Sequence, residues 1–194
     1  IELQPHFPHA NNNRGASLKE LGRYEDATSS YERAIALKPD YVEPHYNLGT
    51  CLVSTGKLRE ARVWFDKAIE LNPDDAQAHW NRALCLLLNG DYDEGWREYE
   101  WRFASKSVKT HASVKPRWDG APLNGRTILI HSEQGFGDTL NFLRYLPLVK
   151  ARGGRILFEC PTALKSLLAS YPAIDMLLDP VAQGEDQAEL YDVQ

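Results

Sequence analysis

Two sets of residues in this 194-residue chain have types and spacings that could do chemistry. The first is the run Ser132-Glu133-Gln134-Gly135-Phe136-Gly137-Asp138. Gly135 and Gly137 would let backbone approach a ligand, and a helix beginning near Asp138 would present free N–H groups. The third glycine of a dinucleotide fingerprint is missing, and no Gly-Lys-Ser/Thr follows as in a phosphate-binding loop. Carboxylates at Glu133 and Asp138 would repel a phosphate, which favours a hydroxyl-bearing ligand or a general base. A second reading, compatible with the first, has Asp138 only capping its helix.

The other set is Asn13, Asn47 and Asn81, one every 34 residues. A carboxamide carries both donor and acceptor, so such a line can pair with the N–H and C=O of an extended peptide whatever its side chains. Asn12, Tyr46 and Trp80 stand beside it and would complete an amphipathic wall. The competing reading is that each asparagine bonds a neighbouring helix carbonyl. His45 and His79 recur with the same period, but equivalent repeat positions lie too far apart to share one ion, so no metal site is expected.

The elements that must position these residues follow from the same period. Leu18, Leu52 and Leu86 align, as do Gly22, Gly56 and Gly90, then Tyr31, Phe65 and Tyr99, and finally Pro39 and Pro73. A repeat of this length marks stacked helix pairs, here expected over 8–38, 42–72 and 76–104. Gly15 and Gly49, with Ala83 in the third copy, mark where the first helix approaches the second. Gly22, Gly56 and Gly90 end the first helix in a left-handed cap. Tyr24, Leu58 and Tyr92 open the second helix, which buries Ala27, Tyr31 and Ala34 or their equivalents Ala61, Phe65 and Ala68. Pro39 and Pro73 stop it. Asp40, Asp74 and Asp91 precede helices and are expected caps. In the third unit Gly95 replaces alanine, Arg102 replaces Ala34 and Ala68, and no proline closes it, so the array is expected to end there.

This spacing of small, aromatic and proline positions resembles the tetratricopeptide repeat family over roughly the first hundred residues. The resemblance implies an α-helical solenoid of three helix pairs (1–104) whose first helices line a concave face that holds a protein or extended peptide. The asparagine line resembles the ladder in the superhelical repeats of the O-linked N-acetylglucosamine transferases. Ile1-Glu2-Leu3-Gln4-Pro5 echoes Ile69-Glu70-Leu71-Asn72-Pro73, and the only methionine is Met176. Residues 1–7 therefore read as the tail of a preceding repeat in a fragment of a longer protein. A repeat end exposed this way should present an uncapped apolar face that frays or self-associates.

Residues 105–126 are rich in serine, proline and glycine and read as a linker, with Trp118 expected to pack it against a domain. Strand signals at 127–131, 155–160 and 174–178 alternate with helical stretches at 139–151, kinked at Pro147, and 162–170. Over 127–194 this implies the first part of a Rossmann-like parallel sheet, whose ligands bind at the carboxyl ends of the strands. The run from Gly120 through Gly125-Arg126, His131 to Asp138 and Phe142 to Pro147 resembles bacterial tetratricopeptide proteins carrying a glycosyltransferase-like domain of the heptosyltransferase-related, GT-B type. That resemblance implies Asp138 as the base that activates an acceptor hydroxyl, with Glu133, Gln134, Gly135 and Gly137 shaping the acceptor site. It also implies a nucleotide sugar as donor, held mainly by a second Rossmann-like domain that this chain does not contain. The chain in hand is therefore expected to use no cofactor and to transfer no sugar; a purely structural assembly module is the further alternative.

Bulk properties limit the partners. A net charge of −5 provides no overall field toward nucleic acid, and the longest apolar run, Leu84 to Leu88, is far below the roughly 20 residues of a membrane span. Three cysteines, Cys51, Cys85 and Cys160, read as reduced packing residues of a cytoplasmic protein.

Overall fold

A computed structural model of the protein describes residues 7–105, 115–133, 135–180 and 189–194. Residues 1–6, which carry the expected tail of a preceding repeat, lie outside this set. The chain divides into two units, Ile1–Thr110 and His111–Gln194.

The first unit is a run of antiparallel helix pairs: α1 Pro8–Glu20 with α2 Tyr24–Leu37, α3 Val42–Ser54 with α4 Leu58–Leu71, and α5 Ala76–Asn89 with α6 Tyr92–Tyr99, the last continued by a 3-10 turn over Glu100–Phe103. Each first helix ends in the same way. Gly22, Gly56 and Gly90 have φ of 72°, 76° and 91°. The amide after each glycine reaches back to the carbonyl of Leu18, Leu52 or Leu86 at 2.9 Å, the paired hydrogen bonding of a Schellman cap. Close approach explains the next glycines: a Cβ on Gly15 or Gly49 would stand 2.6 Å from a ring carbon of Tyr31 or Phe65. In the third pair this device changes sides. Ala83 takes the first-helix position, and the glycine appears on α6 as Gly95, where a Cβ would meet Leu87 Cδ2 at 2.8 Å and its amide nitrogen at 3.2 Å. Tyr31, Phe65, Leu48, Leu52, Cys51 and Cys85 form one continuous core across the pairs.

The expected helix caps of this unit are corrected. The cap of α5 is Asp75, whose side chain accepts from the amides of Gln77 and Ala78 at 3.1 Å, not Asp74. Asp40 and Asp91 make no cap hydrogen bond: Tyr41 holds the cap position of α3, and Asp91, although at the cap position of α6, instead takes a hydrogen bond from Asn89. At the open end of the array α1 differs in composition from α3. Where α3 has His45, Leu48 and Cys51, α1 has Asn11, Arg14 and Ser17, which leaves Phe7 and Leu21 as the exposed large apolar residues there.

The second unit is built on a small parallel sheet in the order β1-β2-β3, with β1 Thr127–His131, β2 Arg155–Glu159 and β3 Met176–Leu178. Thr127 pairs with Arg155 and Leu157 with Met176. Val193 makes a parallel bridge to Ile128, so it lies along the edge of β1 away from β2. Ile128 and Ile156 pack on one face with Leu123, Val193 and Trp118, and Leu129 and Leu157 on the other with Tyr191, the two-sided burial that continuous apolar strands require. Between β1 and β2 run α7 Phe136–Phe142, a 3-10 turn Leu143–Tyr145 and α8 Leu146–Lys150. The break thus precedes Pro147, which sits in the first turn of α8 where its missing N–H costs nothing. The second helical stretch shrinks to a 3-10 turn Thr162–Leu164 and α9 Lys165–Leu168.

Much of the expected linker belongs to this unit. Leu123 is fully buried, and its amide bonds the Arg152 carbonyl at 2.8 Å. Trp118 donates its indole N–H to Ala121 and its amide to the Gln194 carbonyl, so it packs onto the sheet as anticipated. Gly154 is required by this contact, since a Cβ there would lie 2.4 Å from Leu123 Cδ1 and 2.7 Å from the Arg126 carbonyl oxygen.

Candidate functional site

The first helices α1, α3 and α5 lie side by side, and the positions flagged by spacing join them. Asn47 Nδ2 donates to Asn12 Oδ1 at 3.0 Å, and Asn81 Nδ2 donates to the Tyr46 hydroxyl at 3.1 Å. Each asparagine thus ties its repeat to the residue beside the preceding asparagine. Asn81 also donates to the Gln77 carbonyl in its own helix at 2.9 Å. Both readings of the ladder are therefore realised in part on the donor side, and the Oδ1 atoms of Asn47 and Asn81 accept no hydrogen bond among the described residues. Asn13 is exposed and, among the described residues, joins no neighbouring helix, whereas Asn12 is buried and donates to Tyr41. Burial, ahead of the nearby Asp75 charge, raises the Tyr46 phenol above its ordinary value, so it stays protonated as a hydrogen-bonding group. Trp80, half-buried on the same face, has an indole N–H without a hydrogen bond among the described residues.

The repeating histidines serve the scaffold. His45 Nε2 and His79 Nε2 donate to the carbonyls of Pro39 and Pro73 at 2.9 and 3.0 Å, which ties each first helix to the turn before it. His79 differs in its second nitrogen: Nδ1 stands 2.7 Å from Glu98 Oε2, and the ring stacks on Trp101 at 4.1 Å. Both ring nitrogens of His79 thus face acceptors, a carbonyl and a carboxylate. Glu98 also receives Arg82 at 3.0 Å, and Arg82 further binds Asp66 at 2.5 Å and Glu94. Sequence reading missed this cluster because Arg82 occupies the position of Leu48. Its signal was the set of acids, Asp66, Glu94 and Glu98, at helical spacing around a lone arginine.

In the second unit the turn after β1 brings Glu133, Gly135, Gly137 and Asp138 to the carboxyl edge of the sheet; Gln134 lies outside the described residues. Gly135, not Asp138, holds the cap position of α7, and Asp138 sits exposed in the first turn with no cap hydrogen bond. Neither glycine is forced by the fold. Both have ordinary φ, a Cβ on Gly137 would meet nothing within 4 Å, and one on Gly135 would find only Asp138 Oδ2 at 3.8 Å. At the same edge Glu159, only 8% exposed, ends β2 in register with His131. Sequence reading took this pair as strand alone, although a carboxylate closing an apolar run was the available signal.

Burial raises the Cys85 thiol to about 11, and all three cysteines are free and buried, as packing residues should be. Among the described residues no helix is long and apolar enough to cross a membrane.

Comparison with known proteins bears on the helical unit. Residues 18–84 match the family model described as tetratricopeptide repeat. Protein FlbA of Caulobacter vibrioides is 39% identical over 67 residues, which covers 33% of this chain and 11% of FlbA. Among solved structures, MamA superposes with a TM-score of 0.51 at 24% identity over 53% of this chain and 60% of MamA. The first tetratricopeptide domain of Spaghetti (RPAP3), solved bound to the HSP90 peptide SRMEEVD, gives 0.51 at 16% identity over 56% of this chain and 86% of its own. The sequence match over residues 18–84 and the helix-pair geometry are both of the tetratricopeptide type, and the chain spans only a small part of FlbA's length.

Proposed function

We propose that the first-helix face of the repeat array binds an extended peptide segment of a partner protein. The supporting observation is the hydrogen-bond economy of the ladder. Asn47 and Asn81, both half-buried, each commit a donor to the neighbouring repeat, which fixes the carboxamide, and each keeps an acceptor oxygen that takes no hydrogen bond among the described residues. Acceptors fixed at one-repeat intervals suit the backbone N–H groups of an extended chain and need no particular side chain. Tyr46, Trp80 and Asn13 would line the same path. Peptide binding of this kind agrees with the Spaghetti domain, whose structure holds a peptide.

The test measures affinity for a synthetic peptide selected on the protein, together with thermal stability. Asn47→Ala and Asn81→Ala should each weaken binding about tenfold, as one lost hydrogen bond does in a desolvated contact, at a stability cost of about 1 kcal/mol for the inter-repeat bond. Unchanged affinity in the double variant removes the ladder from the binding site.

A second proposal concerns the turn after β1, should the chain be continued by a second Rossmann-like domain. With the carboxyl edge of a parallel sheet, two glycines the fold does not require, and an exposed Asp138 that makes no cap, the turn suits an acceptor site in which Asp138 is the base and Glu133, Gln134, Gly135 and Gly137 surround a sugar-accepting hydroxyl. A nucleotide sugar would be the donor, and a second Rossmann-like domain would hold it. Full-length protein carrying Asp138→Asn should fold and lose sugar transfer; turnover at the parental rate removes Asp138 from the chemistry. Buried free thiols suit a reducing compartment such as the cytoplasm.

A further inference from the structure

The exposed stripe of the first helices changes chemistry along the array. At matching positions it reads His9, Asn13, Ala16 and Glu20 on α1, then Glu43, Asn47, Thr50 and Ser54 on α3, and finally Gln77, Asn81, Leu84 and Leu88 on α5. The carboxamide persists while the two positions after it pass from Ala16 and Glu20 through the hydroxyls of Thr50 and Ser54 to Leu84 and Leu88. Leu84 is 37% and Leu88 69% exposed, and Val53 on α3, at 37%, lies one residue from the stripe. Solvated leucines four residues apart on one helix face, beside a half-buried Trp80, form an apolar patch for which the unit's own core has no use.

The charges around this patch decide what it can take. Glu43 is the only charged residue of α3, and Arg82 is the only Lys or Arg of α5. Arg82 is turned to the other side of its helix, bound by Asp66, Glu94 and Glu98. Arg62 likewise faces Asp66, Asp91 and Glu94, and Arg59 donates to Asn89. On the face itself Lys19 of α1 donates to Thr50 at 3.4 Å. Among the described residues, an acidic peptide crossing α3 and α5 would therefore meet Glu43 and, at the α1 edge, the single ammonium of Lys19, and over α5 it would desolvate its carboxylates against leucine. A chain of uncharged, apolar side chains would bury Val53, Leu84 and Leu88 without that cost.

We infer that the α3–α5 half of the face selects an extended partner segment with at least two aliphatic or aromatic side chains and no acidic ones, its backbone held by Asn47 and Asn81. This inference rests on the peptide-binding reading above and adds the chemistry of the ligand.

Selection of a phage-displayed random heptapeptide library on the protein tests it, followed by affinity measurements with the enriched sequences made as synthetic peptides. The expected winners carry two or more apolar residues and lack Asp and Glu. Leu88→Asp and Leu84→Ser, both on the solvent side of a folded helix, should preserve the circular dichroism spectrum and weaken those peptides about tenfold each. Enrichment of acidic peptides, or affinities indifferent to Leu84 and Leu88 yet reduced by Asn47→Ala and Asn81→Ala, overturns the inference and leaves peptide binding standing. Failure of any peptide to enrich overturns both. Sedimentation provides the remaining arm: a dimer that Leu88→Asp converts to monomer would show that a second copy covers the patch, and the inference would fall.

Discussion

The two units use glycine, aromatic rings and buried leucines for the same purposes but distribute them along the chain differently. In the helical unit Gly15 meets Tyr31 as Gly49 meets Phe65, and three Schellman caps share one pattern. In the α/β unit each contact is made once between distant positions: Leu123 against Gly154, Trp118 against Gln194, Ile128 beside Val193. A repeated contact can be found by aligning the chain with itself; a single one cannot. The same difference should govern how damage spreads, because stacked repeats are stabilised by their neighbours.

The largest effect expected is from emptying each core. Phe65→Ala removes a fully buried ring and should cost about 3–5 kcal/mol, and Leu123→Ala about 2–5 kcal/mol. Hydrogen exchange separates the two outcomes. Loss of Phe65 should deprotect α3 and α4 and, through the shared core, also α2 and α5; loss of Leu123 should deprotect β1 and the turn before β2. Protection lost only in α3 and α4 would break the comparison, because the repeats would then behave as isolated hairpins.

A finer version exchanges glycines. Gly154→Ala places a methyl 2.7 Å from the Arg126 carbonyl oxygen, which is backbone, and 2.4 Å from Leu123. Gly49→Ala places one 2.6 Å from the Phe65 ring, a side chain that can tilt. Both should lie within the overpacking range of about 1–3 kcal/mol, with Gly154 at its upper end. Gly137→Ala meets nothing and should change stability by less than about 0.5 kcal/mol. Urea midpoints at unchanged m-value are the measurement. A Gly137 variant as damaging as Gly154 would mean that the turn after β1 is packed rather than open.

What could be read in the sequence follows the same division. The boundaries of α1 to α6 and the glycine caps were visible because each recurs with its neighbours in register. The strands of the second unit were visible as apolar runs, but the burial of Leu123 was not, since nothing local distinguishes it from a linker leucine. Asp74 and Asp75 are adjacent and chemically equivalent, so only backbone geometry chooses Asp75 as the cap. The ladder was legible as a line of asparagines but not as a set of bonds between repeats, because the partner lies 35 residues back, one off the period. At Asn11, Arg14 and Ser17 the first repeat departs from the core types the period predicts, His45, Leu48 and Cys51 in the second.

Such departures inside the array provide the smallest test. Tyr31 and Phe65 occupy the same repeat position, both fully buried and both with a ring carbon 2.6 Å from where a Cβ on the facing glycine would stand. Tyr31 carries a hydroxyl that finds no hydrogen-bond partner among the described residues, and burial, as the largest cause, pushes its phenol to about 12. A buried group left without a partner costs about 1–3 kcal/mol. Tyr31→Phe copies the second repeat into the first and should therefore raise stability by about 1 kcal/mol, less than the full penalty because the ring loses the hydroxyl's packing contacts. In a domain of this size that is a rise of about 4–8 °C in melting temperature. A fall instead would mean that the hydroxyl is satisfied in solution, and that the first repeat uses at this position an interaction the second has replaced with packing alone.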